Sequence, residues 1–185
     1  PGRYRVRLTV GEIVQTQELE VLKDPRLTEI SEADLEAAFR LTLAVRDKLN
    51  ETHDAIRTLR DVRVQLDDLV KRSKKAGIEV ELEASSIAIK DQLTEIEEDL
   101  IQVKNQTDQD PLNFPPKLDN QLAYLFGHVN GAYGRPTAGS YRRFEDLKKK
   151  VDPYLGRLQR ILDEELSQFN AAFIAEGWAP VMVPK

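Results

Sequence analysis

Hydrophobic residues recur with two different periods along this chain, one near the N-terminus and another over the remainder. In the first ten residues every second side chain is apolar, and these apolar positions are Tyr4, Val6, Leu8 and Val10. This is the period of a half-buried strand. A tight turn at Gly11-Glu12 would lead into a second strand over 13–21, in which Leu19 and Val21 share a face. The pattern therefore predicts an N-terminal β-hairpin.

From Ser31 to Gly77 the apolar residues recur instead at steps of three and four, the period of an amphipathic helix. These positions are Leu35, Ala38, Val45, Leu49, Ile56, Leu59, Leu66 and Val70. Ser31 is placed to cap the helix, Asp34 and Glu36 add negative charge to its first turns, and Gly77 is placed to end it. Such a helix is about 70 Å long. Its length predicts an elongated bundle.

Three further helices are predicted at about residues 82–104, 117–132 and 138–176. The helix over 82–104 has an apolar face, and its carboxylates are assigned to the solvent side: Glu95, Glu97, Glu98 and Asp99. In the loop that follows, Leu112 and Phe114 are expected to pack onto the bundle. Pro153 lies inside the last helix, where the apolar pattern continues across it. This favours a kinked helix, although Asp152 could instead cap a new helix with Pro153 in its first turn.

Together these elements predict a mainly α protein, an elongated up-down four-helix bundle with an N-terminal β-hairpin. Residues 1–26 form the hairpin and residues 27–185 form the bundle, whose helices are expected to alternate in direction. An isolated hairpin is only marginally stable in water, and this chain enters a strand directly after Pro1-Gly2. We therefore interpret the hairpin as the tail of an upstream β-sandwich in the same polypeptide. A hairpin that docks on the bundle is the alternative.

Composition narrows the possible partners. The formal net charge is −5, so the chain has no basic excess that would favour nucleic acid. No apolar run approaches the roughly 20 residues that a membrane span requires, and we predict neither a nucleic-acid partner nor a membrane span. The chain has no cysteine, which excludes disulfides and thiolate metal sites.

The sequence carries no recognisable catalytic motif. It lacks a P-loop, a Gly-x-Ser-x-Gly turn and a dinucleotide fingerprint. Neither histidine, His53 or His128, has the glutamate three residues earlier that carboxylate metal sites in helical bundles use. The basic clusters are residues 71–75 and 148–150. The first lies in the last turns of the long helix, where cations complement the helix dipole, and anion binding is the alternative. We predict no catalytic, cofactor-binding or metal residues and no cofactor.

Polar residues on the apolar seam of the first long helix leave one question open. They are Thr42, Thr52 and Arg63. Such residues can set the register of a bundle or reach solvent at its edge. They could also face a second copy of the bundle, so a homodimer is a possible partner arrangement.

Several stretches resemble a known family. They are the hairpin sequence PGRYRVRLTV at 1–10, the run KNQTDQDPLNFPPKLDNQL at 104–122, and Arg135-Pro136-Thr137 followed by Ser140-Tyr141 and Phe144. Together they resemble the C-terminal end of large bacterial sortilin-like β-propeller proteins, often labelled sialidase-repeat or glycosyl hydrolase-like. The resemblance covers nearly the whole chain, from the last strands of an Ig-like domain through the helical region.

The resemblance implies an exported bacterial protein, located in the periplasm or secreted, whose propeller lies upstream. It carries no catalytic residues onto this part of the chain. The expected function is a non-catalytic C-terminal helical module with structural or protein-interaction roles, whose partners are the upstream domains of the same polypeptide. A homodimerisation or scaffold bundle is the alternative, and an accessory part of a glycosyl hydrolase is a further one.

Overall fold

The computed structural model describes residues 1–77, 81–107, 109–175 and 177–183. It confirms a mainly α bundle with an N-terminal antiparallel hairpin. The elements in chain order are β1 (Gly2–Val10), β2 (Ile13–Val21), α1 (Glu32–Lys75), α2 (Glu81–Leu100), α3 (Leu118–Gly131), α4 (Ala138–Arg160) and α5 (Leu166–Ala175). A 3-10 turn (Asp110–Leu112) precedes α3, and a π-helical turn (Ile161–Glu165) joins α4 to α5.

Helix α1 begins and ends where its sequence signals predict. The Ser31 hydroxyl accepts a hydrogen bond from the Asp34 N–H at 3.1 Å, and the Asp34 carboxylate accepts one from the Ser31 N–H at 3.1 Å. This reciprocal pair satisfies two backbone donors at the helix start. Ala76 forms the C-cap and Gly77 follows with φ +73°, a left-handed conformation that favours glycine. The 44 residues of α1 span about 66 Å.

Helix α2 packs antiparallel on the C-terminal half of α1. Near the start of α2, Glu83 forms an ion pair with Lys74 at 2.6 Å, close to the end of α1. Near the end of α2, Glu97 contacts Arg63 in the middle of α1. The two contacts fix the direction of α2, and they leave the N-terminal half of α1 for α3.

Helix α3 packs on the N-terminal half of α1 and is also antiparallel to it. Asp119, in the first turn of α3, lies 3.6 Å from His53. Just beyond the end of α3, Arg135 forms an ion pair with Asp34 at 3.0 Å. The four predicted helices are therefore present, but α2 and α3 run in the same direction as two successive segments alongside α1. The direction of successive helices therefore does not alternate between α2 and α3.

The last rod of the bundle, formed by α4 and α5, runs parallel to α1. Lys48 of α1 forms an ion pair with Asp152 of α4 at 2.8 Å, and Arg157 further along α4 reaches Glu95 of α2 at 2.7 Å. The helix continues through Pro153, so Asp152 does not cap a new helix there. The irregularity in this rod is the π-helical turn eight residues later, which the sequence pattern did not predict.

The core forms along the seam where these rods meet. Every predicted seam residue of α1 is buried or half-buried, and α1 also buries residues beside that seam because it packs against α2, α3 and α4. The additional buried hydrophobic residues of α1 are Leu41, Ala55, Val62 and Leu69. The long first helix is thus the common wall of the bundle.

Two predictions near the end of α2 are wrong. The helix ends at Leu100 and not near residue 104. The side chain of Gln102 accepts a hydrogen bond from the Lys104 N–H at 3.2 Å and donates one to the Pro115 carbonyl at 3.0 Å, which replaces helical hydrogen bonding. In the following loop, Leu112 does not pack onto the bundle, because its side chain is 86% exposed.

Candidate functional site

The hairpin presents one mainly apolar face, which also carries Gln15 and Gln17, and one mainly polar face, which also carries Val14. Its strands pair in the register Val10 with Ile13 through Gly2 with Val21. Paired residues project to the same side of a sheet. One face therefore collects the alternating apolar residues, which are Tyr4, Val6, Leu8, Val10, Ile13, Leu19 and Val21. Gly11, with φ +57°, is the first residue of the two-residue turn, a position that suits glycine in a type II′ hairpin.

The apolar face of the hairpin is uncovered. Every residue from 1 to 22 is exposed, and the seven side chains of this face are between 43% (Val21) and 67% (Ile13) exposed. Strands with strictly alternating patterns normally bury their apolar face. The described part of the bundle does not supply that cover, so this apolar face is open to solvent.

The other face of the hairpin is suited to solvent. Arg3 forms an ion pair with Glu20 at 3.7 Å, and Arg5 lies directly opposite Glu18 in the register. Opposite charges across a pair of strands favour this register, although exposed ion pairs contribute little to stability. The polar face thus contrasts with the apolar face, and the two sides of the hairpin are not equivalent.

A cleft of about 640 Å³ continues the apolar surface onto the start of α1. It lies between the base of the hairpin and the helix, and Tyr4, Leu22, Leu35 and Phe39 contribute apolar wall. Phe39 is 61% exposed. We use the name hairpin surface for the apolar face of the hairpin together with Leu22 and Phe39. Sequence reasoning missed Phe39 because it lies outside the periodic positions of α1.

The two histidines do not form a site together. His53 Nε2 lies 3.6 Å from a carboxylate oxygen of Asp119, whereas His128 is exposed further along α3. Burial raises the pKa of Asp119, against hydrogen bonding from the Asn120 N–H and the nearby His53. Among the described residues no group of three or more His, Cys, Asp or Glu side chains could hold a metal ion.

The carboxylate row of α2 does not lie wholly on the solvent side. Glu97 is buried, because Arg60 and Arg63 of α1 lie across it and bind its two oxygens. Arg63 also donates to Thr94 at 2.8 Å. The prediction for Glu97 is therefore wrong. Its charge is neutralised by cations that belong to the neighbouring helix.

A second cleft, between α1 and α4, is polar but its charges are paired. It has a volume of about 640 Å³. The Nζ atom of Lys48 lies 2.6 Å from Oε2 of Glu51 and 2.8 Å from Oδ1 of Asp152. Burial lowers the pKa of Lys48, but the two carboxylates outweigh this effect and the pKa is raised. A lysine held in its charged form is unsuited to act as a base or a nucleophile.

Several of the polar seam residues and of the basic residues at the end of α1 bind partners within the chain. Thr52 is fully buried and donates to the Lys48 carbonyl at 2.8 Å, and Thr42 is half-buried. In the basic cluster, Lys74 pairs with Glu83, while Arg72 pairs with Asp68 at 3.0 Å. These contacts are typical of bundle structure.

No helix in the described ranges combines the length and the apolar character needed to cross a membrane. Scans against protein-family models, curated proteins and solved structures gave no match to this chain.

Proposed function

We propose that this chain is a non-catalytic interaction module in which the helical bundle is the rigid body and the hairpin surface is the contact. The observation that carries the proposal is the exposure of seven apolar side chains on a single face of the hairpin. Contiguous exposed apolar surface marks sites of association in soluble proteins. The non-catalytic part of the proposal is supported by the charged groups Glu97 and Lys48. Each is bound by two oppositely charged side chains, as is typical of structural ion pairs.

The partner that fits this surface best is further β-structure. A two-stranded hairpin needs additional strands or a covering helix for stability, and the open edges of β1 and β2 can pair with other strands. On the family resemblance, we propose that these strands belong to an upstream β-sandwich of a larger exported bacterial propeller protein. The module would then serve its assembly or its contacts with other proteins.

Hydrogen exchange tests this proposal on the isolated chain and on the longer polypeptide. We expect amides of the hairpin to exchange rapidly in the chain alone and slowly in the longer protein. Leu8→Lys, on the apolar face, should remove that protection in the longer protein. The adjacent Thr9→Lys is the matched control, since it lies on the polar face and should preserve protection.

Two results would contradict the proposal. One is equally rapid hairpin exchange in both forms of the protein. The other is hydrolysis of a glycoside or a peptide by this chain alone at enzyme-like rates, because no part of the proposed role involves catalysis.

A second candidate function is homodimerisation through the same hairpin surface. The exposed apolar face and the open strand edges of the hairpin favour this function. Two copies could cover each other's apolar faces or pair their strand edges. Light scattering at micromolar concentration should then give twice the chain mass. Leu8→Lys should restore the monomer and Thr9→Lys should not. A wild-type chain that is strictly monomeric contradicts this alternative.

A further inference from the structure

The C-terminal tail, defined here as residues 178–183, is held by two side-chain amides. Asn170 of α5 donates to the Val181 carbonyl at 2.9 Å and accepts from the Val181 N–H at 2.8 Å. Gln65 of α1 makes the same reciprocal pair with Met182, at 2.8 Å in both directions. In each case an amide side chain makes the two hydrogen bonds that a residue on a neighbouring antiparallel strand would make.

These contacts show that the tail is recognised as an extended backbone. In an extended segment, successive residues direct their N–H and C=O groups to opposite sides. Val181 is held from the α5 side and Met182 from the α1 side, so the tail bridges the two helices. The four hydrogen bonds involve backbone atoms of the tail, and they are therefore independent of its side chains.

The side-chain contacts of the tail are concentrated at Trp178 and Val181. Val181 is 5% exposed and joins the core, whereas Met182 and Val183 are 65% and 41% exposed. Trp178 packs edge-on against Phe173 with ring centroids 6.4 Å apart. Trp178 also packs against the core, and Arg72 Cζ lies 5.9 Å from the centroid of its ring, so the tail is anchored at Trp178 and at Val181.

The tail also leaves part of its groove unfilled. A cleft of about 240 Å³ lies beside it. Its lining includes Ala179 and Pro180 of the tail, the apolar side chains of Val64 and Leu69, and the charged side chains of Asp68 and Arg72. Val64 is 68% exposed. A larger apolar side chain in place of the methyl group of Ala179 would have room to cover Val64.

We propose that Gln65 and Asn170 form a binding site for an extended peptide segment of a partner protein, and that the tail occupies this site in cis as a displaceable ligand. The preferred segment carries a bulky apolar residue two positions before an aliphatic anchor, with proline between them. A second copy of this chain is a weaker source, since its tail carries alanine at the first position and is already bound intramolecularly at high effective concentration.

The site is independent of the hairpin surface. Along α1, Gln65 is 26 residues from Phe39, which corresponds to about 39 Å. The inference therefore does not depend on the proposed function of the hairpin, and substitutions at one surface are expected to leave the other unchanged.

The direct test uses the full chain and the acetylated, amidated peptide Phe-Leu-Pro-Val-Met-Val with a fluorescent label. Val181→Asp removes the aliphatic anchor of the tail while leaving the groove intact. We expect the peptide to bind the Val181→Asp chain at least tenfold more tightly than wild type, measured by fluorescence anisotropy. Adding Asn170→Ala or Gln65→Ala to that chain should weaken binding at least tenfold.

Two controls separate recognition from a structural effect. Gln102→Ala, added to Val181→Asp, removes an amide that contacts a different loop and should not change binding. A peptide with alanine in place of leucine should bind more weakly, because it leaves the cleft beside Val64 unfilled. A circular dichroism spectrum equal to that of wild type shows that a variant remains folded.

Trp178 provides a second readout in the unmodified protein, since it is the only tryptophan in the chain. The peptide contains none, so displacement of the tail should shift Trp178 emission to longer wavelength. The proposal is overturned if the peptide binds the Val181→Asp chain and its Asn170→Ala derivative equally well. It is also overturned if saturating peptide neither binds the Val181→Asp chain nor moves the emission of the wild type.

Discussion

The buried carboxylate of Glu97 allows a quantitative test of how the bundle handles charge. The Glu97 side chain is 6% exposed, and its partners Arg60 and Arg63 are 49% and 24% exposed. Replacing both arginines by methionine keeps much of their apolar length and removes both positive charges. The Glu97 carboxylate would then remain in the interface between α1 and α2 without a cation.

The expected cost follows from this burial. Removing the partners of a buried charge destabilises a protein by about 3–5 kcal/mol. Because Arg60 is half-exposed, solvent can partly reach this side of the pair, and we expect Arg60→Met/Arg63→Met to cost about 3 kcal/mol. Adding Glu97→Met removes the unpaired charge and supplies apolar volume. The triple variant should therefore recover about 2–3 kcal/mol relative to the double variant.

Urea unfolding followed by circular dichroism at 222 nm measures both steps. For a chain of this length, 1 kcal/mol corresponds to roughly 2–4 °C in Tm, so thermal scans provide a second measurement. Arg40→Met is the matched control, because the Arg40–Glu36 pair is exposed on α1 and should contribute at most about 0.5 kcal/mol. A triple variant no more stable than the double variant would refute the reasoning, since Glu97 would then carry no burial cost.

Three further substitutions test the core, a helix cap and a buried acid. Leu122→Ala, at a fully buried position, should lower the free energy of unfolding by about 2–5 kcal/mol, whereas Leu112→Ala at an exposed one should change it by less than about 0.5 kcal/mol, both by urea unfolding. Ser31→Ala should cost about 1 kcal/mol through loss of the N-cap, and a Tm equal to wild type would contradict this role. Because burial raises the folded-state pKa of Asp119, wild type loses stability as pH rises through that pKa. The free energy of unfolding of Asp119→Asn, relative to that of wild type, should therefore increase as pH rises from 3 to 7. Parallel pH profiles of the two proteins would contradict this.

Features that depend on neighbouring residues in the sequence could be predicted from it. The alternation at residues 3–10 predicts a strand, and the three- and four-residue steps after Ser31 predict a helix, because both periods are set by local backbone geometry. Ser31 and Gly77 mark the ends of α1 for the same reason. Their hydrogen bonds and φ angles involve only adjacent turns.

Features that depend on packing between distant residues could not be predicted. The amphipathic pattern assigned Glu97 to solvent, since nothing in α2 alone indicates that Arg60 and Arg63 of α1 lie across it. Similarly, the contacts of Gln65 and Asn170 with the tail join residues up to 117 positions apart in the chain. Isolated polar residues on helices carry no signal that would distinguish such a role from exposure.

The hairpin differs from both cases, because its conformation follows its local pattern while its apolar face is exposed. Alternation at Tyr4, Val6, Leu8 and Val10 predicts a strand with one buried face, yet that face is exposed within this chain. The pattern describes a strand in its final packing environment, which includes any partner. This difference between the pattern and the burial is the reason for proposing a contact outside the chain. Because α1 is continuous, the proposed hairpin contact and the proposed peptide site would lie about 39 Å apart along one helix.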